Sequence, residues 1–187
     1  MGVGIDTVDR LLHLQNRHLN QAAAILGGGP SLVTDIQTLP EGCLLFAVND
    51  HAFHIGIEPD YMVFMDDPSL KPELMRTVCE FQGKRVTETL QYTDIDLRGV
   101  IRPDARSGIF ATWLALYLGC APIWLCGMDL YTGEKKYCHD KDDFMGHKKI
   151  FDEPLEQHLK DWRRLLQYRG HQNIHACSGP LQKVFIR

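Results

Sequence analysis

The sequence lacks any apolar run close to the roughly 20 residues that a transmembrane helix needs. Its N-terminus also lacks the charged start and the apolar core of a secretory signal. We therefore expect a cytoplasmic protein without a membrane span.

An excess of positive charge is absent as well. The formal net charge is −4 at pH 7, whereas proteins that bind the nucleic-acid backbone present a basic face. This charge disfavours nucleic acid as a partner and leaves small molecules as the expected ligands.

The six cysteines include no C-x-x-C pair, so the sequence shows no redox motif of that kind. Two cysteines and two histidines could supply zinc ligands by residue type, namely Cys126, Cys138, His139 and His147. Their spacing fits no compact zinc-finger pattern. We therefore predict reduced thiols and no resident metal or cofactor.

The composition is that of an ordinary globular protein. The chain has 187 residues, of which 44% are hydrophobic and 24% charged, enough for one domain with a full-sized core. No internal repeat, low-complexity tract or linker interrupts it. We expect residues 1–187 to form a single domain.

Short apolar runs alternate with longer helical patterns along the chain. Strands are predicted at 22–26, 43–48, 61–65, 84–89, 123–125 and 173–177, and helices at 1–20, 72–81, 108–118 and 153–169. This alternation predicts the α/β class, with a Rossmann-like, mostly parallel sheet that has helices on both faces.

The first predicted internal strand ends in a glycine-rich turn made of Gly27, Gly28, Gly29, Pro30 and Ser31. Glycine lets the backbone turn sharply and approach a ligand, and proline is common in a first helical turn. Free N–H groups at the following helix start would favour an anion. Taken alone, the motif fits a ligand site and a simple turn about equally well.

Polar residues recur just past the ends of the next two predicted strands. Asn49 follows one strand, and Asp66 with Asp67 follow the other. Each alone fits ordinary turn chemistry. Because ligands of open α/β sheets bind at the carboxyl ends of the strands, their shared position favours a ligand-binding role for Asn49 and Asp66.

The second half of the chain supplies further candidates at the same edge. Ser107 and Gly108 open a helix whose N-terminus suits a phosphate or the polar edge of a nucleotide. Asp129 follows the next strand, where a bracing role fits as well as a ligand contact. Together with the glycine-rich turn, these residues indicate a nucleotide site.

Two tyrosines and a histidine follow Asp129. Tyr131 and Tyr137 could donate hydroxyl hydrogen bonds to a departing phosphate without a metal, and His147 could act as general base on an acceptor hydroxyl. Judged singly, the tyrosines also fit loop packing and His147 a polar helix start. The intervening loop, 132–146, is long enough to predict a mobile lid.

These motifs resemble a bacterial sialyltransferase family, the one that includes the bifunctional lipooligosaccharide enzymes. The similar features come in the same order: residues 27–32, Asn49, Ser107-Gly108, Asp129-Leu130-Tyr131, Tyr137 and Gly146-His147. The resemblance implies inverting, metal-independent transfer of a sialic-acid-type sugar from a CMP-sugar donor to a hydroxyl of a glycan or other acceptor.

The resemblance also implies residue roles. The tyrosines of that family stabilise the cytidine monophosphate leaving group and its histidine is the base, which gives these roles to Tyr131, Tyr137 and His147. Two features depart from the family. Gly28 stands where the family has asparagine, and its active-site arginine matches either Arg102 or Arg106.

The same glycine-rich turn and Gly-x-Asp-Leu pattern resemble a bacterial, archaeal and phage group that includes a hydroxymethylpterin diphosphokinase. Such an enzyme would use ATP and Mg²⁺, with Asp66, Asp67 and Asp129 as oxygen ligands. A third alternative is a non-catalytic protein that recognises a nucleotide or glycan. A homo-oligomer is compatible with all three.

Overall fold

The computed structural model describes residues 9–98, 100, 106–132, 134–139 and 152–185. Its strands are β1 (Asp9–Arg10), β2 (Ala23–Leu26), β3 (Leu44–Val48), β4 (Tyr61–Val63), β5 (Lys84–Val86), β6 (Ile95–Asp96), β7 (Ile123–Cys126) and β8 (Ile174–Ala176). Its α-helices are α1 (Leu32–Asp35), α2 (Pro72–Glu80), α3 (Ser107–Tyr117) and α4 (Leu155–Arg163).

Short 3-10 helices connect several of these elements: Leu11–Leu14, Ile36–Thr38, Phe53–Ile55, Pro68–Leu70, Leu90–Tyr92, Arg164–Gln167, His171–Asn173 and Pro180–Lys183. None of the described helices combines the length and the apolar character that crossing a membrane requires.

Six strands form one parallel sheet in the order β5-β4-β3-β2-β7-β8, which confirms the predicted α/β fold. β2 lies between β3 and β7, so that Ile25 is opposite Phe46 on one side and Leu125 on the other. The chain forms β2, β3, β4 and β5 in turn on one side, and then returns to add β7 and β8 on the other side of β2. The topological switch point, where ligands of such sheets bind, therefore lies between β2 and β7.

Helices cover both faces of this sheet, as the alternating pattern predicts. On one face, strand residues such as Ile25, Phe46 and Leu125 pack in the main core with α3 and α4. On the other face, Leu26 packs with α1 and Met62 packs with α2. Burial on both faces explains why the central strands are apolar at every position rather than at alternate ones.

Helix α3 crosses the middle of the sheet and contacts β2, β3, β4 and β7. Its seven residues from 109 to 115 are all buried, as expected for a helix that is apolar around its whole circumference. The hydroxyl of Ser107, its first residue, accepts a hydrogen bond of 3.2 Å from Met65 N, which follows β4. The N-terminus of α3 is thus fixed at the carboxyl edge of the sheet.

The predicted leading helix over 1–20 is wrong for the described part of that segment. Residues 9–10 form β1, which pairs with β6, and a single 3-10 turn follows. Leu11 and Leu14 are buried, but Leu12 and Leu19 are exposed. Asn16 and Asn20 have positive φ angles, which a continuing right-handed helix does not allow.

Asp35, at the end of α1, joins three separate elements through one carboxylate oxygen. Its Oδ2 accepts hydrogen bonds of 2.9 Å from the Ser31 hydroxyl, from Gly127 N after β7 and from the Ser178 hydroxyl after β8. Only 5% of the residue is exposed. Because buried donors without an acceptor are costly, this carboxylate holds the ends of β7 and β8 against α1.

Replacing Asp35 by alanine should lower the free energy of unfolding by about 3 kcal/mol, since it leaves Gly127 N and the Ser178 hydroxyl without their charged acceptor. Urea denaturation measures this change. The control is Asp67→Ala, because Asp67 is exposed and accepts from Ser69 N at the start of a 3-10 helix. Its loss should cost about 1 kcal/mol or less. Equal losses in both variants would contradict the bracing role of Asp35.

Candidate functional site

An open cavity of about 220 Å³ lies at the switch point of the sheet. It is lined by the turns that follow β2, β3, β4 and β7 and by the facing parts of α3 and α4. The lining residues are Gly27, Gly28, Gly29, Val48, Asn49, His51, Met65, Asp66, Arg106, Ser107, Gly108, Ile109, Gly127, Met128, Asp129, Leu130, Tyr131, Lys136, Tyr137, His158 and Trp162.

The structure therefore brings most of the predicted site residues together at one edge. Of the predicted set, Pro30 and Ser31 are not part of the cavity wall. His147 lies outside the described residues, as do Arg102 and much of the predicted lid. His147 thus remains a prediction from the sequence.

The glycine-rich turn is shaped by its contact with the end of β7. Gly27 N donates to Cys126 O and Gly29 N donates to Gly127 O, both at 2.8 Å. A Cβ at Gly27 would lie 2.4 Å from Gly127 O, and one at Gly29 would lie 2.1 Å from Asp129 Oδ2. Any side chain at either position would separate the two turns, so glycine is required there for packing alone.

Gly28 is packed against a histidine that is not among the residues predicted from the sequence. A Cβ at Gly28 would lie 2.5 Å from the ring of His51. That ring stacks on Tyr137, with centroids 4.7 Å apart, and Cys138 N donates to Gly28 O at 2.8 Å. At this point of the turn the chain therefore has a glycine and an imidazole that fills the adjoining space.

Asp129 braces the glycine-rich turn, which was one of its two predicted roles. Its Oδ2 accepts from Ser31 N at 3.0 Å and lies 2.9 Å from the Ser31 hydroxyl. The N–H that the sequence suggests for an anionic ligand is thus used by a carboxylate of the chain itself. Asp129 also faces the cavity, so it contributes negative charge at this end of the site.

Asn49 has a buried side-chain oxygen without a hydrogen-bond partner among the described residues. Its backbone is in the left-handed region, with φ at 55°, and its side chain reaches the cavity. Among the described residues, its buried Oδ1 has no hydrogen-bond partner. Because buried acceptors in native proteins are nearly always paired, a donor from a bound molecule is the natural partner of Asn49.

The three aspartates of the diphosphokinase alternative do not form a metal centre in the described part of the chain. Asp66 lines the cavity but forms an ion pair of 2.9 Å with Lys71. Asp67 is exposed, and its hydrogen bonds from Ser69 lower the pKa of its carboxyl group. Asp129 is bonded to Ser31. These separate engagements do not fit a shared Mg²⁺.

The N-terminus of α3 faces the cavity through Ser107 and Gly108. The first N–H groups of a helix have no acceptor within the helix, so they are available to an anion. A Cβ at Gly108 would lie 3.3 Å from the Trp162 ring and 3.4 Å from Met128. The small residue lets α4 and the turn after β7 pack close to this helix start.

The turn that carries Tyr131 is strained. Leu130 and Tyr131 both have positive φ angles, 52° and 61°, and each such residue costs on the order of 1–3 kcal/mol. Lys136 Nζ donates to Tyr131 O at 2.8 Å and stabilises the turn. The rings of Tyr131 and Tyr137 meet edge to face, with centroids 6.3 Å apart. The structure thus brings both predicted tyrosines to one wall of the cavity.

His158 and Arg106 form a second polar group in the cavity wall, and His158 is not among the residues predicted from the sequence. The residue is 2% exposed, and its Nδ1 lies 2.9 Å from Arg106 Nη1. Because guanidinium only donates, Nδ1 is the acceptor and the imidazole proton lies on Nε2. Arg106 also pairs with Glu153 and, at 3.5 Å, with Asp161.

The chain is similar to known proteins in its structure. No protein-family model matches the chain, and no curated protein matches its sequence. The monofunctional alpha-2,3-sialyltransferase Cst-I from Campylobacter jejuni is similar over 100% of this chain and 82% of that protein, with a TM-score of 0.62 and 18% identity.

Two structures of the sialyltransferase CstII from the same organism are also similar. One is a complex with cytidine-5'-monophosphate, with a TM-score of 0.57 and 15% identity. The other is a complex with a trisaccharide acceptor and CMP, with a TM-score of 0.57 and 17% identity. Each match covers 88% of this chain and 84% of CstII. The chain therefore has a sialyltransferase-like fold.

Proposed function

We propose that this protein is a glycosyltransferase that binds a nucleotide-sugar in the switch-point cavity and transfers the sugar to a hydroxyl acceptor. The observation that carries the proposal is that Asn49 lines the cavity and that its buried Oδ1 has no hydrogen-bond partner among the described residues. An amide oxygen accepts a hydrogen bond, so it suits the amino group of a cytosine base or a ribose hydroxyl.

The phosphate of the nucleotide is assigned to the N-terminus of α3. The start of α1 is not available, because Ser31 N already donates to Asp129. At α3, Ser107 and Gly108 present the first turn of an 11-residue helix to the cavity. A helix terminus of this kind favours negative charge near its free N–H groups.

The donor that we propose is a CMP-sugar of the sialic-acid type. Support comes from the similar fold of CstII, whose structures contain CMP, a trisaccharide acceptor or CMP-3FNeuAc. The motif order from the glycine-rich turn to Gly146-His147 also supports it. Lys136, which lines the cavity, provides positive charge for an anionic donor, whereas the charge of Arg106 is already paired with Glu153 and Asp161.

In the proposed transfer, the bond between the sugar and the phosphate oxygen breaks, and its electron pair stays on CMP. Tyr131 and Tyr137 donate hydrogen bonds to that phosphate, so the step needs no metal. The acceptor oxygen attacks from the opposite face of the sugar, and its proton goes to His147. His158 is a donor rather than the base, because Arg106 occupies its Nδ1.

Incubation with CMP-sialic acid should release CMP, slowly with water alone and faster with a glycan acceptor. The same assay with ATP, Mg²⁺ and hydroxymethylpterin should release no AMP. Chromatography of the nucleotides measures both reactions. AMP release without CMP release would favour the diphosphokinase. Binding of CMP without any turnover would favour the non-catalytic alternative.

Replacement of His147 by alanine should lower the transfer rate by about 100-fold or more, since general bases contribute 10²–10⁴-fold. Affinity for CMP, measured by calorimetry, should stay unchanged because the base contacts the acceptor. His13→Ala, which alters an exposed histidine in an N-terminal 3-10 turn, is the control and should match the wild type. Parallel loss of CMP binding and transfer would count against the base assignment.

Gly28 and His51 should behave as a coupled pair. Gly28→Ala places a methyl group 2.5 Å from the His51 ring, and such overpacking costs about 1–3 kcal/mol. When His51 is also replaced by alanine, the added methyl group has room. The free energy of unfolding of the double variant should therefore fall by less than the sum of the decreases in the two single variants. Urea denaturation of the wild type, the two single variants and the double variant (a double-mutant cycle) measures this coupling.

The control double-mutant cycle combines Gly28→Ala with His171→Ala. His171 is distant from Gly28 in the sequence and hydrogen-bonds with Tyr168 O. There the losses should add within about 0.5 kcal/mol. Additive losses in the His51 cycle as well would show that the ring does not limit the space beside Gly28.

A further inference from the structure

Three potential metal ligands converge beside the cavity, behind the turn that carries His51. They are Asp50, which follows β3, His54 in the 3-10 helix Phe53–Ile55, and Glu73 in the first turn of α2. One ligand atom from each lies within 4.8 Å of the other two. This is the one such group of three in the part of the chain that the structure describes.

Burial of the Asp50 carboxylate is the second observation that points to a cation. Asp50 is 7% exposed, and a buried carboxylate requires a compensating positive charge. Its Oδ2 lies 3.3 Å from His54 Nε2. That separation exceeds the roughly 2.7–2.9 Å of a good charge-assisted hydrogen bond, so the pair by itself neutralises the carboxylate poorly.

The spacing of Asp50 and His54 matches two ligands of one ion. Zinc binds imidazole nitrogen and carboxylate oxygen at about 2.0–2.2 Å, which sets neighbouring ligands of a tetrahedral centre about 3.3–3.5 Å apart. Glu73 is exposed, and one of its carboxylate oxygens lies within 4.8 Å of the ligand atoms of Asp50 and His54. One nitrogen and two carboxylate ligands leave a fourth position for water.

We propose that Asp50, His54 and Glu73 form a site for a divalent transition-metal ion, with Zn²⁺ as the ion that suits this ligand set. An imidazole favours zinc over magnesium or calcium, which prefer oxygen ligands alone. None of the three residues lines the cavity. The ion would therefore lie outside the nucleotide cavity, and the inference does not rest on the proposed transfer reaction.

The consequence of such an ion is a fixed turn. Asp50 and His54 flank His51, whose ring contacts Gly28 and stacks on Tyr137 in the cavity. Glu73 lies in α2, which packs on the other part of the same sheet face. A bound ion would fasten the turn at 50–54 to α2 and thereby hold His51 in the wall of the cavity.

The test is calorimetric titration of the metal-free, reduced protein with Zn²⁺, and with Mg²⁺ for comparison. We expect one strong zinc site per chain and no comparable magnesium site. Glu73→Gln removes one ligand charge at an exposed position, and His54→Gln removes the nitrogen ligand. Each should weaken zinc binding by at least about 10-fold, since even outer-shell changes have effects of this size.

Glu80→Gln, an exposed change at the other end of α2, and His13→Gln are the matched controls and should bind zinc like the wild type. If His54→Gln fails to fold, Glu73→Gln decides the outcome. Absence of a 1:1 zinc complex, or equal affinity in Glu73→Gln and Glu80→Gln, would overturn the proposal. So would a thiolate charge-transfer band in the Co²⁺-substituted protein, because the proposed ligands include no cysteine.

Discussion

The close approach of β2 and β7 at their carboxyl ends is the constraint on which the rest of the structure depends. The turn after β2 donates two backbone hydrogen bonds of 2.8 Å to carbonyls at the end of β7, and a Cβ at Gly27 would lie 2.4 Å from Gly127 O. Asp35 then fixes Gly127 to the start of α1 through Ser31. Since the switch point lies between these strands, the same contacts that close the sheet also set the floor of the cavity.

This constraint also decides which helix start can hold an anion. The Ser31 hydroxyl lies 2.9 Å from carboxylate oxygens of both Asp35 and Asp129, and its single proton serves only one of them at a time. Ser31 N is used by Asp129 as well. With two carboxylates around α1, an incoming phosphate meets negative charge there. The N-terminus of α3, where Ser107 and Gly108 line the cavity, is the favourable place for it.

The sequence predicts the fold better than it predicts the site. Alternation of apolar runs and helical patterns suffices for the sheet, because strands buried on both faces are apolar throughout. The prediction for the leading segment is wrong because Leu11 and Leu14 pack in the main core from a single 3-10 turn that follows β1, rather than from a long helix. His51 and His158 could not be selected, because their place in the cavity depends on contacts with Gly28 and Arg106 that are far away in sequence.

The most direct test of the central claim is calorimetric titration of the protein with CMP in the absence of added metal, together with Asn49→Ala. The account predicts a 1:1 complex, and an affinity that falls about 10-fold in Asn49→Ala because a buried hydrogen bond to the ligand is lost. Asn173→Ala, in the 3-10 turn before β8, should bind as the wild type does. Absence of CMP binding, or equal affinity in wild type and Asn49→Ala, would contradict a nucleotide site at the switch point.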